Sequence, residues 1–484
     1  MEITQLILNN KPSESKQNNF NKNSNDKKVY IETFGCQMNY SDTEIVLSVL
    51  SDFGYNETSE IIDSDVILLN TCSIRENAEN KVFKRLDELK KYKKTNPNLI
   101  LGVLGCMAER LRNELLIKKK MVDLIVGPDE YRKVPHLIDN LIETGEKGIA
   151  VKLSRVETYD DITPVRKKGV TAWISIMRGC DKFCTFCVVP FTRGRERSRN
   201  FMNIIEEAVR LSEEGVKDIW LLGQNVNSYR FGEKDFADLL DDVAKAVPGV
   251  RIRYTTSHPY DLSMKLLDVM VKHSNICNYI HLPIQSGSDR ILKEMNRLYS
   301  VEQYMNVMKK SREMMPSVGL STDIISCFPS ETEDEHRMTL DVIREVRYDG
   351  AYTFAYSPRE NTKAFFLEDD IDEDTKKRRL DEIITLQRKI SVEINQNLIG
   401  RTMPVLIESL SKKSDEYFMG RTDCNKSVII PKEYTYVNDS GELTHKKSLS
   451  IGDFVNIKID KVNSATLFGE PVLYIVSAPQ NKLQ

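Results

Sequence analysis

The chain has 484 residues, 40% hydrophobic and 29% charged, the balance of a soluble globular protein of two to four domains. Its net charge of -3 excludes nucleic-acid binding driven by an overall positive field and leaves only a local patch for that role. No apolar run reaches the ~18 residues of a membrane span, and the opening MEITQLILNN has neither the basic start nor the apolar core of an export signal. No membrane is expected, the location is expected to be cytoplasmic, and the nine cysteines are expected to be reduced. Residues 1–28, rich in Asn, Ser and Lys, are expected to form a disordered tail.

From residue 29 short apolar runs alternate with helical stretches: VYIETFG, DVILLN, LILGVLG and DLIVG. That alternation predicts an α/β domain with a parallel sheet over 29–150. The pattern repeats over 166–397 with six strand candidates, TAWISIM, DIWLLG, RIRYTT, YIHLPI, STDIIS and AYTFAY, closed by a helix near 374–397. Right-handed crossovers curl such units toward a barrel. Eight would close it, so six predict an open (βα)6 partial barrel. Over 398–477 the runs VLIESL, YFMGRT, SVIIP, DFVNIKIDKV and PVLYIVS predict a small antiparallel β-barrel of about five strands.

Cys180, Cys184 and Cys187 stand at C-x3-C-x2-C spacing just after the first strand of the six, at the edge where βα barrels carry their chemistry. A structural zinc site takes four ligands. No fourth cysteine is near, and the closest histidine, His258, is far downstream. Three thiolates suit a 4Fe–4S cluster with one iron left open, against a zinc loop or plain buried thiols.

Cys36, Cys72 and Cys106 form a second set, each just after an apolar run and separated from the next by 36 and 34 residues, about one βα unit. In a parallel sheet they emerge at one edge, the carboxyl edge, where open α/β sheets bind ligands. Gly35 and Gly105 precede two of them and permit tight turns. The alternative for each thiol alone is a small apolar side chain near a strand end. Cys277, Cys327 and Cys424 show no pattern and read as structural.

C-x3-C-x2-C with Phe186 before its last cysteine resembles the radical S-adenosylmethionine (SAM) signature. With TFGCQMN, NTCSIRE, LGCMAER, LLGQNVNSY, TSHP, LPIQSGS and MNRLY, the chain resembles the radical SAM methylthiotransferase family over residues 29 to about 475. Its C-terminal module is similar to a TRAM domain. Within the family, CTFCVVPFTRGRERSR resembles the bacterial MiaB-type tRNA enzymes. The resemblance implies two 4Fe–4S clusters and SAM. It implies methylthio addition at carbon 2 of N6-isopentenyladenosine at tRNA position 37. Partners implied are a tRNA anticodon stem-loop, an electron donor such as a flavodoxin or ferredoxin, and a sulfur donor. Relatives acting on threonylcarbamoyl-adenosine are one alternative, and a non-catalytic RNA-binding protein with structural metal sites is another.

By the same resemblance Phe186 lies near adenine, and Gln224, Ser257, Gln285, Ser286 and Arg297 line the SAM pocket. Each of the last five could instead be a satisfied polar residue at a strand end. From 166 to 199 nine basic residues face two acids. Arg193, Arg195, Arg197 and Arg199 are therefore expected to meet RNA phosphate and unstacked bases, against the reading of a solvated charged face. Three departures from the family pattern stand out. Cys327 and Ser330 in ISCFPSETE stand where the family usually has glycine, at the end of the fifth strand, and leave the fine shape of the SAM pocket open. YSPRENT lacks the usual proline–glycine.

Overall fold

The computed structural model describes residues 27–73, 76–166, 168–437 and 443–472. Tail residues 1–26, Ile74 and Arg75 of NTCSIRE, Lys167 of the basic run, and the end of PVLYIVS lie outside them. Packing divides the chain into two compact units. The first runs to Cys72 and includes Asn77–Lys152 and Asp161–Val165; the second holds Ser73–Glu76, Leu153–Asp160 and the chain from Arg166 on.

The first unit is a six-stranded sheet in the order β2-β1-β3-β4-β5-β6. Its strands are β1 (Lys27–Thr33), β2 (Tyr55–Glu57), β3 (Val66–Thr71), β4 (Ile100–Gly105), β5 (Leu124–Val126) and β6 (Gly148–Ala150). Every pairing is parallel. β3 and β4 are buried at every position, which is why their sequences read as unbroken apolar runs. Helices α1 (Gln37–Asp52), α2 (Glu76–Thr95), α3 (Cys106–Lys118) and α4 (Val134–Thr144) make the crossovers. The tail expected to reach residue 28 stops earlier. Lys27 and Lys28 pair with Tyr55 and Asn56, and the Lys28 amide donates to Asp65 at 2.7 Å.

The second unit carries the six expected βα strands: β7 (Thr171–Ser175), β8 (Asp218–Leu222), β9 (Arg251–Thr255), β10 (Tyr279–His281), β11 (Gly319–Ser326) and β12 (Gly350–Ala355). They form two parallel triplets: β7, β8 and β9 in one, β10, β11 and β12 in the other. A parallel bridge from Ile252 to Ile276 links the triplets. The fourth strand is three residues long, not the six of YIHLPI. Beyond it the chain stays paired with β11 through Leu282 and Gln285. Ile174, Leu221, Ile252, Ile280 and Ile324 share one core. The closing helix, α5 (Glu373–Gln396), buries Ile383 and Ile390 in it.

The C-terminal part is a closed five-stranded barrel. Its strands are Thr402–Ser411, Ser414–Thr422, Ser427–Pro431, Phe454–Val462 and Thr466–Pro471. One pairing, between Ser427–Pro431 and Thr466–Pro471, is parallel, so the barrel is not wholly antiparallel. The fifth strand precedes most of PVLYIVS. Glu433–Val437 and Leu443–Ser448 add a hairpin.

This barrel is seated on the amino-terminal ends of β8 and β9. Arg253, 1% exposed, donates to the Thr422 and Asp423 carbonyls at 2.7 and 2.9 Å and pairs with buried Asp218 at 2.9 Å. Arg251 donates to the carbonyls of Arg421 and Pro404. Among the described residues no helix is long and apolar enough to cross a membrane.

Candidate active site

In the second unit the loop after β7 carries Cys180, Cys184 and Cys187. Neighbouring loops hold it in place. Its Thr185 amide donates to Met295 O at 3.1 Å, and Thr185 O accepts from the Ala364 amide at 2.8 Å. Asn296 donates to the carbonyls of Lys182 and Phe183. Lys182 reaches Asp261 at 2.7 Å. Gly179 must be glycine, since its φ is +78° and a Cβ would lie 2.1 Å from Arg195 O.

The three cysteines line a cavity of about 130 Å³ with Phe186, Gln224, Ser257, His258, Gln285 and Arg297. A larger cavity of about 340 Å³ in the first unit is walled by the Arg132–Asp161 ion pair and holds no cysteine. Chemistry therefore points to the smaller one. Gln224 accepts from the Gly179 amide at 2.6 Å. Ser257 donates to Asn227 at 3.0 Å. Arg297 donates to Cys184 Sγ at 3.3 Å, to Pro283 O and to Tyr299 Oη. Two buried polar atoms here, His258 Nε2 and Gln285 Oε1, meet no partner among the described residues. Ser286 is a different case. It is fully buried, accepts from the Ser288 amide and does not line the cavity. Its side chain closes its own turn.

Cys180 and Cys187 are pushed up to about 12, by burial first and by repulsion from Cys184. Crowded thiols of this kind ionise together only around a cation, and thiolate is the form that binds iron. Among the described residues no three His, Cys, Asp or Glu side chains surround a single ion. An iron–sulfur cube sets each thiolate on a different iron, so it asks for a wider set. The open donor set and the two unmatched polar atoms fit a cluster with a polar ligand beside it.

In the first unit Cys36, Cys72 and Cys106 follow β1, β3 and β4, three adjacent parallel strands. All three stand at one carboxyl edge. Gly35 has φ +119°, and a Cβ there would lie 2.4 Å from Cys72 Cβ. Gly105 has φ +89°, and its Cβ would meet Thr71 O at 2.6 Å. Buried Asn70 donates to Asn39 O and Thr43 Oγ1, tying β3 to the start of α1. This edge too fits a thiolate-held cluster, since its glycines keep backbone, not side chains, against the cysteines.

The arginine run needs correcting. Arg193, Arg197 and Arg199 are 4–6% exposed. Arg199 binds Asp160, Glu207 and Ser175 O at 2.7–2.8 Å. Arg197 donates to Ser154 O, Glu157 O and Arg193 O. The guanidinium groups of Arg197 and Arg199 are buried and bonded inside the unit, so a phosphate would have to displace those partners. Arg195 differs: its side chain is 62% exposed, forked onto Asp181 and over the Phe183 ring. The departures also change meaning. Cys327, Ser330 and Asn361 have φ of +60°, +68° and +72°. Neither Cys327 nor Ser330 lines the cavity. The glycines they replace suit left-handed backbone.

A six-stranded βα partial barrel with a three-cysteine loop after its first strand defines a radical SAM protein, and residues 174–343 match the Radical SAM superfamily. That membership implies SAM and a 4Fe–4S cluster. Residues 28–127 match the Uncharacterized protein family UPF0004, and 396–472 match the TRAM domain. The chain belongs to the tRNA-2-methylthio-N(6)-dimethylallyladenosine synthase family. It is 51% identical to the protein of that name from Chloroherpeton thalassium, over 91% of this chain and 95% of that one. It is 49% identical to the one from Christiangramia forsetii (93% and 95%) and 48% to that of Bacteroides thetaiotaomicron (92% and 96%). In fold it resembles the radical SAM methyltransferase TsrM of Kitasatospora setae, with a TM-score of 0.54, 12% identity and 78% of each chain covered.

Proposed function

We propose that this protein adds a methylthio group to carbon 2 of N6-isopentenyladenosine at position 37 of tRNA. The observation that carries the reading is the pair of three-cysteine sets, each at a carboxyl edge, in a chain of this family. Cys180, Cys184 and Cys187 would hold one 4Fe–4S cluster, and Cys36, Cys72 and Cys106 a second. When bound, these clusters and SAM supply one-electron chemistry and sulfur to an aromatic C–H too weakly acidic for any side-chain base.

The chain's own residues bind and orient. Phe186 packs against the core of Ile291, Met295, Phe328 and Tyr356, which fixes its ring beside the cavity. Gln224 sets the Gly179 turn, and Gln285 keeps an acceptor turned into the site. Arg195 is the exposed cation of the cluster loop and the candidate for RNA phosphate. The domain division 29–150, 166–397 and 398–477 belongs to this reading. So do a cytoplasmic location, an anticodon stem-loop as partner, a flavodoxin- or ferredoxin-like electron donor and a separate sulfur donor. Mass spectrometry of tRNA nucleosides from a deletion strain tests it. Loss of 2-methylthio-N6-isopentenyladenosine with accumulation of the unthiolated nucleoside is expected. An unchanged nucleoside profile overturns it.

A further inference from the structure

The cavity beside the cluster loop contains a side chain that neither cysteine spacing nor the expected SAM contacts assign. His258 precedes the short turn Pro259–Asp261, just past β9, and is 5% exposed. Its Nδ1 accepts from the Tyr260 amide at 3.2 Å. A neutral imidazole has one donor and one acceptor nitrogen. With Nδ1 occupied as acceptor, Nε2 carries the proton. That N–H meets no partner among the described residues. The ring is held edge-on to Tyr299, with centroids 5.6 Å apart. Burial, then the charges of Arg297 and Lys182, keep the imidazole neutral by lowering its pKa to about 2.

The surroundings select what the donor meets. Arg297 and Lys182 line the same cavity. Its one carboxylate, Asp323, already faces His281 at 3.5 Å. A fixed donor in the same wall as the Arg297 guanidinium matches an anionic acceptor. Adenine and ribose are uncharged, whereas the methionine end of SAM carries a carboxylate. We propose that His258 Nε2–H binds that carboxylate. The assignment rests on this cavity being the SAM pocket and not on the identity of the RNA substrate.

Two variants separate the ring's two nitrogens. His258→Asn retains an acceptor near Nδ1 for the Tyr260 amide and removes the donor. His258→Gln retains a donor near Nε2. SAM affinity is measured by anaerobic equilibrium dialysis on cluster-loaded protein, with iron content as the control. His258→Asn is expected to bind SAM roughly tenfold to a hundredfold more weakly than wild type. His258→Gln is expected to stay within about threefold. With decarboxylated SAM as the probe, His258→Asn and wild type are expected to bind alike. Wild-type SAM affinity in His258→Asn overturns the assignment. So does an equal loss with both probes, which would make His258 a packing residue or a donor to another part of the cofactor. Should His258→Asn lose its iron, His258→Gln decides, and a loss above tenfold there overturns the proposal. No tRNA enters the assay, so failure of the substrate reading and failure of this one are told apart.

Discussion

Arg297 Nη1 lies 3.3 Å from Cys184 Sγ. Hydrogen bonds to ligating sulfur raise the potential of an iron–sulfur centre, because they stabilise its more electron-rich state. Arg297→Gln is therefore expected to lower the midpoint potential of the second unit's cluster by on the order of 50 mV, about tenfold in a one-electron equilibrium. Redox titration followed by electron paramagnetic resonance measures it. An unchanged potential in iron-loaded protein would show that the contact has no electronic consequence.

Gly35 sits against Cys72 with no space for a Cβ. Gly35→Ala is expected to displace the carboxyl edge of the first sheet and cost that unit about half of the protein's iron. Replacing Cys180, Cys184 and Cys187 together with Ala is expected to remove the other half. SAM cleavage is expected to survive the first change and disappear with the second. Iron and labile sulfide analysis on both proteins checks the count, and loss of all iron from either one would argue for a single shared site.

Arg199 and Arg195 are expected to separate stability from RNA binding. Arg199→Ala leaves Glu207 and Asp160 short of a buried partner, and breaking such a set costs about 3–5 kcal/mol. Arg195→Ala removes an exposed ion pair and is expected to leave stability nearly unchanged. If Arg195 contacts phosphate, its loss flattens the salt dependence of anticodon stem-loop affinity by roughly 0.7–0.9 log units per log unit. Denaturation midpoints and binding at several salt concentrations provide both numbers.

Glu109 brings a pH dependence. Burial, then Asp129 and Glu130, raise its pKa to about 7. Between its unfolded value near 4.3 and that folded value the native protein holds the extra proton. Stability is therefore lost as pH rises through this window and levels off above it. Glu109→Gln is expected to be more stable than wild type by about 1–3 kcal/mol at pH 8 and nearly equal to it at pH 4. Unfolding midpoints at the two pH values decide. Parallel curves would mean that the carboxyl is solvated.

β3, β4, β8 and β9 were legible because they are buried along most of their length, and the first cysteine set because each member comes just after an apolar run. The arginine run misled because a local charge count cannot see across the chain. Counting from residue 166 stops short of Glu157 and Asp160, and Glu207 lies beyond the other end. Asp160 and Glu207 supply carboxylates that draw Arg199 inward, and main-chain carbonyls, which no charge count includes, hold Arg197. His258 was set aside for its distance in sequence, yet β9 brings its loop to the cluster cavity. Ser286 differs from Gln285 by one position, and only the backbone, with Gln285 at φ +73°, decides which of the two faces the cavity.

The carbonyls that receive Arg251 and Arg253 lie 153–170 residues later in the chain. A ribosome therefore finishes the six βα units well before it makes their seat. In that interval the carbonyl partners of Arg251 and Arg253 do not yet exist and the foot of the sheet is uncovered. Final packing of the six βα units waits for the first two barrel strands to emerge. A transcript cut after residue 397 would yield a nascent chain still awaiting its closing piece, a client for chaperones and proteases, and the barrel could not be exchanged as a cassette without the carbonyls that meet Arg251 and Arg253.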